Sequence, residues 1–233
     1  MIPTYKHALI VGAGSGLSAS LARLLSAEGM NVTLAARSID DLGALCSETG
    51  ATAQSCDVLS ESDVDALYGS FADDEPDVVI FNPSSRVRGP VTDIDREAVK
   101  QTILTSAYGG FLIAQGAAKR MVPNGHGAIL FTGASASVKG YVHSASFAMG
   151  KFALRGLAQS MARELHPKGV HIGHFIIDGG IRNPDRPERI DAADSPDSML
   201  DPDAIAGSYL HFLQQDRSSW AWELELRPWV ENF

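Results

Sequence analysis

The stretch HALIVGAGSGL, residues 7–17, decides the fold of this chain. Residues 7–11 form a short, mostly apolar run typical of a buried strand, and three glycines follow within five positions. Leucines at positions 17, 21, 24 and 25 then form the apolar stripe of a helix that ends near residue 28. A glycine turn that opens a helix leaves N–H groups free at the positive end of the helix dipole, where a phosphate binds. A glycine-rich run alone also fits a plain turn, but the flanking strand and helix favour nucleotide binding.

The rest of the chain repeats this alternation of short apolar runs and segments with helical period. Further strands are predicted over 31–36, 53–56, 78–81, 128–132 and 171–177. Helices are predicted over 38–48, 61–71, 96–121, 147–165 and 202–214. Such alternation predicts an α/β fold, a doubly wound parallel sheet of Rossmann type with helices on both faces, in one domain over residues 1–233.

Three segments depart from that rhythm. Residues 73–76, Asp-Asp-Glu-Pro, predict an acidic turn. Residues 182–202 carry four prolines and five aspartates and predict a long substrate-side loop, of the kind that serves as a lid or stays disordered. Residues 220–229 alternate polar and apolar side chains, which predicts a last strand at the sheet edge or in a subunit contact.

Composition excludes several classes of function. The chain has 233 residues, 45% of them hydrophobic, and a net charge of −9. Its Lys and Arg residues are scattered along the sequence, so we expect neither a nucleic acid nor a membrane as partner. No run of apolar residues reaches the roughly 18 needed for a membrane span. Cys46 and Cys56 lack metal-binding spacing, which predicts reduced thiols, no metal and a cytoplasmic location.

The end of the second strand indicates the type of dinucleotide. An NAD site usually has a carboxylate there for the ribose 2′-OH, but this strand ends Ala35–Ala36–Arg37–Ser38. Arg37 and Ser38 could hold a 2′-phosphate, so NADP(H) is preferred over NAD(H) as cofactor. The alternative is that Arg37 is only a solvated surface arginine.

These motifs resemble those of the short-chain dehydrogenase/reductase family from about residue 7 to residue 222. The glycine pattern of the family, T-G-x-x-x-G-x-G, resembles residues 11–18 with its first and last positions changed. The family's adenine-contacting aspartate, its N-N-A-G segment and its P-G-x-x-x-T-P segment resemble residues 57–58, 81–84 and 178–184. The resemblance implies these cofactor-binding residues: Gly12, Gly14, Ser15, Gly16, Leu17, Arg37, Ser38, Asp57, Val58, Asn82, Pro83, Lys151, Gly179 and Ile181.

The resemblance also implies an altered catalytic set. The family's Tyr-x-x-x-Lys falls on Phe147-x-x-x-Lys151, so a residue that cannot exchange a proton stands where the family has its proton donor. Lys151 can still hold ribose hydroxyls. The family's serine falls on Ala134, with Ser135 next to it, and the family's asparagine falls on Ser106.

Two residues could replace the missing proton donor. Tyr141 and His143 lie in the predicted loop before the Phe147 helix, and each is otherwise a packing or surface residue. We therefore take Lys151, Ser135, Tyr141 and His143 as the candidate catalytic residues.

Three functions fit this sequence. The first is an NADP(H)-dependent oxidoreductase that acts on a small carbonyl or alcohol through an atypical active site. The second is a catalytically impaired dinucleotide-binding protein that serves as a sensor or assembly subunit, and the third is a non-redox lyase or dehalogenase. The resemblance further implies a homodimer or homotetramer, and small residues on the long helix would allow close approach of a partner helix: Gly109, Gly110, Ala114, Gly116, Ala117 and Ala118.

Overall fold

A computed structural model describes residues 2–71, 74–183, 185–191 and 193–231. Asp73 of the acidic turn and Pro184 of the P-G-x-x-x-T-P-like segment therefore lie outside the described residues, as do both ends of the 1–233 domain prediction. Among the described residues, no helix is long and apolar enough to cross a membrane.

The centre of the fold is one parallel sheet of seven strands, in the order β3-β2-β1-β4-β5-β6-β7. The strands are β1 His7–Val11, β2 Asn31–Ala36, β3 Thr52–Ser55, β4 Val78–Phe81, β5 Gly127–Thr132, β6 Val170–Ile177 and β7 Glu223–Leu226. The strand order reverses between β1 and β4, which pair side by side. In open α/β sheets a ligand binds at the carboxyl ends of the strands at such a reversal. The predicted doubly wound fold is confirmed.

Helices cover both faces of this sheet. They are α1 Leu17–Ala27, α2 Gly43–Thr49, α3 Glu61–Gly69, α4 Arg96–Ile103, α5 Gly109–Asn124, α6 Ala145–Leu165 and α7 Pro202–Leu213. The core accordingly has two parts: one lies under α1 and α7, the other under α3, α5 and α6. Both contain residues from β1, β4 and β5, whose side chains alternate between the two faces.

The predicted helix over 96–121 is not one regular helix. A five-residue π-helical turn, Leu104–Tyr108, separates α4 from α5. This turn packs closely against α6, since a Cβ atom added at Gly150 would lie 2.9 Å from Cβ of Ser106. Hydrophobic periodicity does not reveal a single inserted residue, so the sequence could not predict the π turn.

The small residues of α5 serve a different purpose from the one predicted. A Cβ atom added at Gly110 would lie 2.8 Å from Leu154 of α6, and one added at Gly116 would lie 2.3 Å from the ring of Tyr68. Gly109 likewise contacts Val58. The prediction that these glycines admit a partner helix is wrong, because they admit neighbours within the same chain.

The segment after β6 is held to the body of the fold. Ile181 and Leu200 form a parallel bridge, and the Arg182 guanidinium pairs with the carboxylates of Asp191 at 2.8 Å and Asp201 at 3.3 Å. Within the predicted loop over 182–202, the described residues include one short 3₁₀ turn, Pro187–Arg189, and the bridging residue Leu200, and Pro202 begins α7. The predicted last strand is confirmed as β7, which lies at the sheet edge.

Candidate active site

A cavity of about 350 Å³ opens at the carboxyl ends of β1, β4, β5 and β6. The predicted site residues that line it are Gly12, Gly14, Ser15, Gly16, Leu17, Asn82, Ser135, Lys151, Gly179 and Ile181, together with Phe147 and Ala134. The glycine turn and Lys151 therefore border one common space, although Gly16 and Lys151 are 135 positions apart in the sequence.

Gly12 is the most constrained residue of the turn. Its φ of 82° lies in the left-handed region, and a Cβ atom there would lie 2.7 Å from the backbone N of Pro83. Gly14 has open space where a Cβ would lie, and a Cβ at Gly16 would lie 3.3 Å from Nδ2 of Asn183. The first glycine is therefore required by the fold, whereas Gly14 leaves room above the turn for a ligand.

Two polar side chains connect this turn to β4. Asn82 donates through Nδ2 to Oγ of Ser18 at 2.7 Å, and Ser18 donates to the carbonyl of Gly12 at 3.0 Å. Pro83 does not line the cavity; its backbone instead packs against Gly12. Asn82 and Pro83 thus fix the shape of the turn from below.

The residues predicted to bind the adenosine half of a dinucleotide lie beyond the cavity. Arg37 and Ser38 are exposed after β2, where the Ser38 hydroxyl donates to Asp40 at 3.3 Å. The Asp57 carboxylate accepts from the backbone N of Leu59 at 3.0 Å. Val58 is buried against Gly109 and so contributes packing.

Lys151 is buried, with 2% of its surface exposed, and its ammonium donates to the carbonyl oxygen of Thr132 at 2.7 Å. Burial, followed by repulsion from Arg86, lowers the Lys151 pKa to about 8. Few charged lysines are buried in this way without a carboxylate partner. A lysine whose pKa lies near neutrality can both hold and release a proton at physiological pH.

Phe147 lies one helical turn before Lys151 on α6 and faces the same cavity. The guanidinium of Arg86, in the loop after β4, stacks over its ring at 3.9 Å from the centroid. Nζ of Lys151 lies 5.8 Å from that centroid. Phe147 is buried, with 6% of its surface exposed, and its apolar ring lies close to two cationic side chains.

The other positions considered for catalysis fall into three groups. Ala134 and Ser135 line the cavity just after β5. Ser106 is fully buried in the π turn, and its hydroxyl has no hydrogen-bond partner among the described residues. Tyr141 and His143 are exposed and do not line the cavity, so the structure does not bring them to Lys151.

Sequence reasoning missed the arginines of the cavity. Arg86, Arg186 and Arg189 line it together with Arg182. Arginine recurs at positions 182, 186 and 189 in a segment otherwise rich in aspartate, and this pattern could have indicated a cationic lining for the site. Arg86 had no such signal, since its place over Phe147 depends on the path of the loop after β4.

A family model described as short chain dehydrogenase matches residues 6–185. The chain therefore belongs to the short chain dehydrogenase family. It is 31% identical to short chain aldehyde dehydrogenase 1 of Euphorbia lathyris over 72% of this chain and 61% of that protein. It is 30% identical to (+)-borneol dehydrogenase 1 of Salvia officinalis over 71% of this chain and 66% of that protein. The chain thus spans slightly less than two thirds of each of these relatives.

Solved structures agree with this assignment. A short-chain dehydrogenase from Rhodopseudomonas palustris is 33% identical, with a TM-score of 0.82 over 97% of this chain and 100% of that one. An alcohol dehydrogenase from Thermococcus sibiricus, complexed with 5-hydroxy-NADP, is 22% identical, with a TM-score of 0.84 over 97% of this chain and 98% of that one. The second likeness concerns the fold alone.

Proposed function

We propose that this protein is an NADP(H)-dependent oxidoreductase that acts on a small carbonyl or alcohol, with Phe147 at the position where family members have their catalytic tyrosine. The observation that carries the proposal is the single cavity bordered by the Gly12–Leu17 turn and by Lys151. Family membership and the dehydrogenases among the relatives support it.

The residues at the carboxyl ends of β1 and β4 fit a nicotinamide dinucleotide. Gly12 has a left-handed backbone conformation, and there is open space at Gly14. The start of α1 is therefore clear for a pyrophosphate, whereas a side chain at these positions would block it. Lys151, Gly179 and Ile181 would hold the nicotinamide half, since all three line the same cavity. The bound dinucleotide would supply the hydride.

Preference for NADP(H) rests on Arg37. β2 has no carboxylate residue at its end. The exposed Arg37 and Ser38 follow it, at the place where this fold binds the 2′ position of the adenosine ribose. Asp57 and Val58 would border the adenine. Arg37 can form two charge-assisted hydrogen bonds with a phosphate, which a ribose hydroxyl cannot match.

The proton on the substrate oxygen requires a source other than residue 147. Phe147 carries no exchangeable proton, whereas Lys151 Nζ has a pKa of about 8 and borders the same cavity. We assign to Lys151 the donation of that proton and to the Ser135 hydroxyl a hydrogen bond to the substrate oxygen. Tyr141 and His143 remain predicted substitutes whose side chains lie outside the cavity.

A second candidate function is dinucleotide binding without turnover, as in a sensor or an assembly subunit. The stacking of Arg86 on Phe147 favours it, because the apolar ring then serves to hold a loop rather than to transfer a proton. The lyase or dehalogenase alternative has no such observation in its favour.

One pair of measurements separates the two functions. NADPH and NADH are titrated into the protein while nicotinamide fluorescence is followed, and NADPH oxidation is then measured over a panel of aldehydes, ketones, quinones and enones. We expect binding of NADPH and slow turnover. Binding without turnover would support the second function, and no response to either dinucleotide would contradict both.

We further propose a homodimer or homotetramer in the cytoplasm, built on α5 and α6. These helices expose large apolar side chains, with Phe111 40%, Met149 54% and Phe152 46% exposed. Sedimentation of the wild type and of Phe152→Glu would test this: a monomeric wild type contradicts it.

A further inference from the structure

The cavity has an unusual charge for this chain. Five cationic side chains line it, Lys151 and Arg86, Arg182, Arg186 and Arg189, and no Asp or Glu of the described residues does. The whole chain has 28 acidic and 19 basic residues and a net charge of −9. Such a concentration of positive charge against the overall balance indicates an anionic ligand.

Two of these cations already have partners. Arg182 pairs with Asp191 and Asp201, which orders the segment after β6. Lys151 donates to the Thr132 carbonyl. The charge of Arg182 is therefore balanced by carboxylates of the protein, and the charge of Lys151 is explained by the proposed proton transfer.

Arg86 and Arg189 differ from them. Neither forms an ion pair with a carboxylate of the described residues, and the two repel each other, since Arg88 and Arg189, after burial itself, lower the pKa of Arg86. Arg86 is fixed by stacking on Phe147, and Nη1 of Arg189 packs near Gly180, where an added Cβ would lie 3.1 Å away. Two like charges held beside one cavity cost free energy unless an anion lies between them.

We propose that the substrate carries an oxyanion group, a carboxylate or a phosphate, which Arg86 and Arg189 bind beside Phe147. This rests on the proposed function, because it takes the cavity as a substrate site. A guanidinium presents two parallel N–H groups that match either oxyanion. Arg86 is suited to this role because its guanidinium lies over the Phe147 ring, 3.9 Å from the centroid, and lines the cavity beside that ring.

The alternative is that these arginines serve the phosphates of the dinucleotide. The phosphate-binding turn lies next to Asn183, whose Nδ2 donates to Ser15 at 3.5 Å, and Arg186 follows on the same short segment. Arg86 instead lies over Phe147, beside Lys151. The structure thus separates Arg86, near the reacting end, from the polar residues near the turn. Arg189 lies on the same segment as Arg186, since its carbonyl accepts from the backbone N of Asn183, but its charge acts on Arg86.

Three benzaldehydes that differ only at the para position test the proposal: 4-formylbenzoate, 4-formylphenyl phosphate and the neutral 4-formylbenzamide. Each is titrated calorimetrically into protein saturated with NADP⁺. We expect the carboxylate or the phosphate to bind at least about tenfold tighter than the amide, as charge-assisted hydrogen bonds predict. Whichever anion binds tighter identifies the natural group.

Arg86→Gln and Arg189→Gln should each abolish most of that preference, and Arg86→Lys should retain part of it. Arg88→Gln is the matched control, because it removes the same charge from the same loop outside the cavity lining; it should keep the preference within about twofold. Equal affinity for anion and amide, an equal loss in the Arg88 variant, or a loss of NADPH affinity in place of anion affinity would each contradict the proposal.

Failure of the proposed function gives a different result. If NADPH produces no fluorescence response, the same three titrations into the free protein still measure the preference for the anion. If NADPH binds and the three benzaldehydes bind equally, only the anion proposal fails.

Discussion

The two ends of the cavity are built in opposite ways. At the Gly12 end the backbone forms the surface, side chains are small, and hydrogen bonds from Asn82 and Ser18 hold the turn from beneath. At the Phe147 end large side chains form the surface, with one aromatic ring in contact with Arg86 and near Lys151. The first end fits the pyrophosphate of a dinucleotide, whereas the second presents an apolar ring close to two cationic side chains.

This difference assigns cofactor binding to the Gly12 end of the cavity and turnover to the Phe147 end. The glycine end can be altered only by changing backbone shape, because there is little side chain to remove. The Phe147 end can be altered by exchanging single functional groups. Variants at the two ends should therefore fail differently, in cofactor binding at one and in turnover at the other.

The largest effect is expected from Gly12→Ala. Its added methyl group would lie 2.7 Å from the Pro83 backbone at a positive φ, so both the fold and the turn are strained. NADPH affinity should fall at least about 100-fold, and the free energy of unfolding should fall by roughly 2 kcal/mol or more. Fluorescence titration and urea unfolding measure the two quantities.

Gly14→Ala is the matched control for stability. The structure leaves open space at that position, so its free energy of unfolding should stay within about 0.5 kcal/mol of wild type. Equal destabilisation by the two substitutions would contradict the assignment of Gly12 as the constrained residue.

Lys151→Met should reduce turnover by about 100-fold and yet stabilise the fold. The buried ammonium has a pKa of about 8 against the ordinary 10.5, so the unfolded chain binds more protons between these values. Burial of Lys151 therefore destabilises the fold fully below pH 8, and this penalty disappears as the pH rises to 10.5. The variant's gain in melting temperature should be largest below pH 8 and vanish near pH 10.5.

The rate of carbonyl reduction provides a second measurement on Lys151. If this ammonium donates the proton, the rate falls as the pH rises through the pKa of Lys151. A rate that is independent of pH from 6 to 10 would remove Lys151 as the donor.

Phe147→Tyr should raise the rate of carbonyl reduction about tenfold or more, because it adds a hydroxyl to a ring near two cations, which lower the pKa of that hydroxyl. NADPH affinity should change less than about twofold. Phe147→Leu is the control, since it removes the ring without adding a proton. A rate gain in the leucine variant would show that ring removal, not the hydroxyl, is responsible.

Arg37→Ala should weaken NADPH binding about tenfold and leave NADH binding unchanged, because only NADPH carries the 2′-phosphate. Ser38→Ala should have a smaller effect in the same direction. Equal losses for both dinucleotides would indicate that Arg37 acts on the fold or on the pyrophosphate instead.

The smallest effects are expected from Tyr141→Phe and His143→Ala. Both side chains are exposed and absent from the cavity lining, so turnover should change less than about twofold. A large loss of activity in either variant would identify that residue as the proton donor and would require the loop between β5 and α6 to move inward.

The fold could be predicted because its signals are local. Each strand is a short apolar run, and the glycine turn at Gly12 lies between a strand and a helix adjacent in sequence. Lys151 could be placed because Phe147 lies four residues before it on one helix. An error of one or two residues in the predicted bounds of a strand or helix leaves these sequence patterns recognisable.

The rest of the site depends on contacts between distant segments. Arg86 and Phe147 are 61 positions apart in the sequence and meet only through the path of the loop after β4. The role of Gly110 and Gly116 was mistaken for the same reason, because small residues look alike whether they face Leu154 and Tyr68 or a second subunit. A sequence pattern gives the size and polarity of each side chain, but it does not show which distant residue that side chain contacts in the fold.

Transfer of deuterium from NADPH to a substrate would establish hydride transfer by this protein. The protein is incubated with NADPH that carries deuterium at both positions of C4 and with a panel of aldehydes and ketones that includes 4-formylbenzoate, and the alcohols formed are examined by mass spectrometry. We predict one deuterium on the carbinol carbon of at least one product, formed faster than without protein and lost in Gly12→Ala. Absence of protein-dependent labelled alcohol across the panel, with NADPH bound, would contradict hydride transfer by this chain.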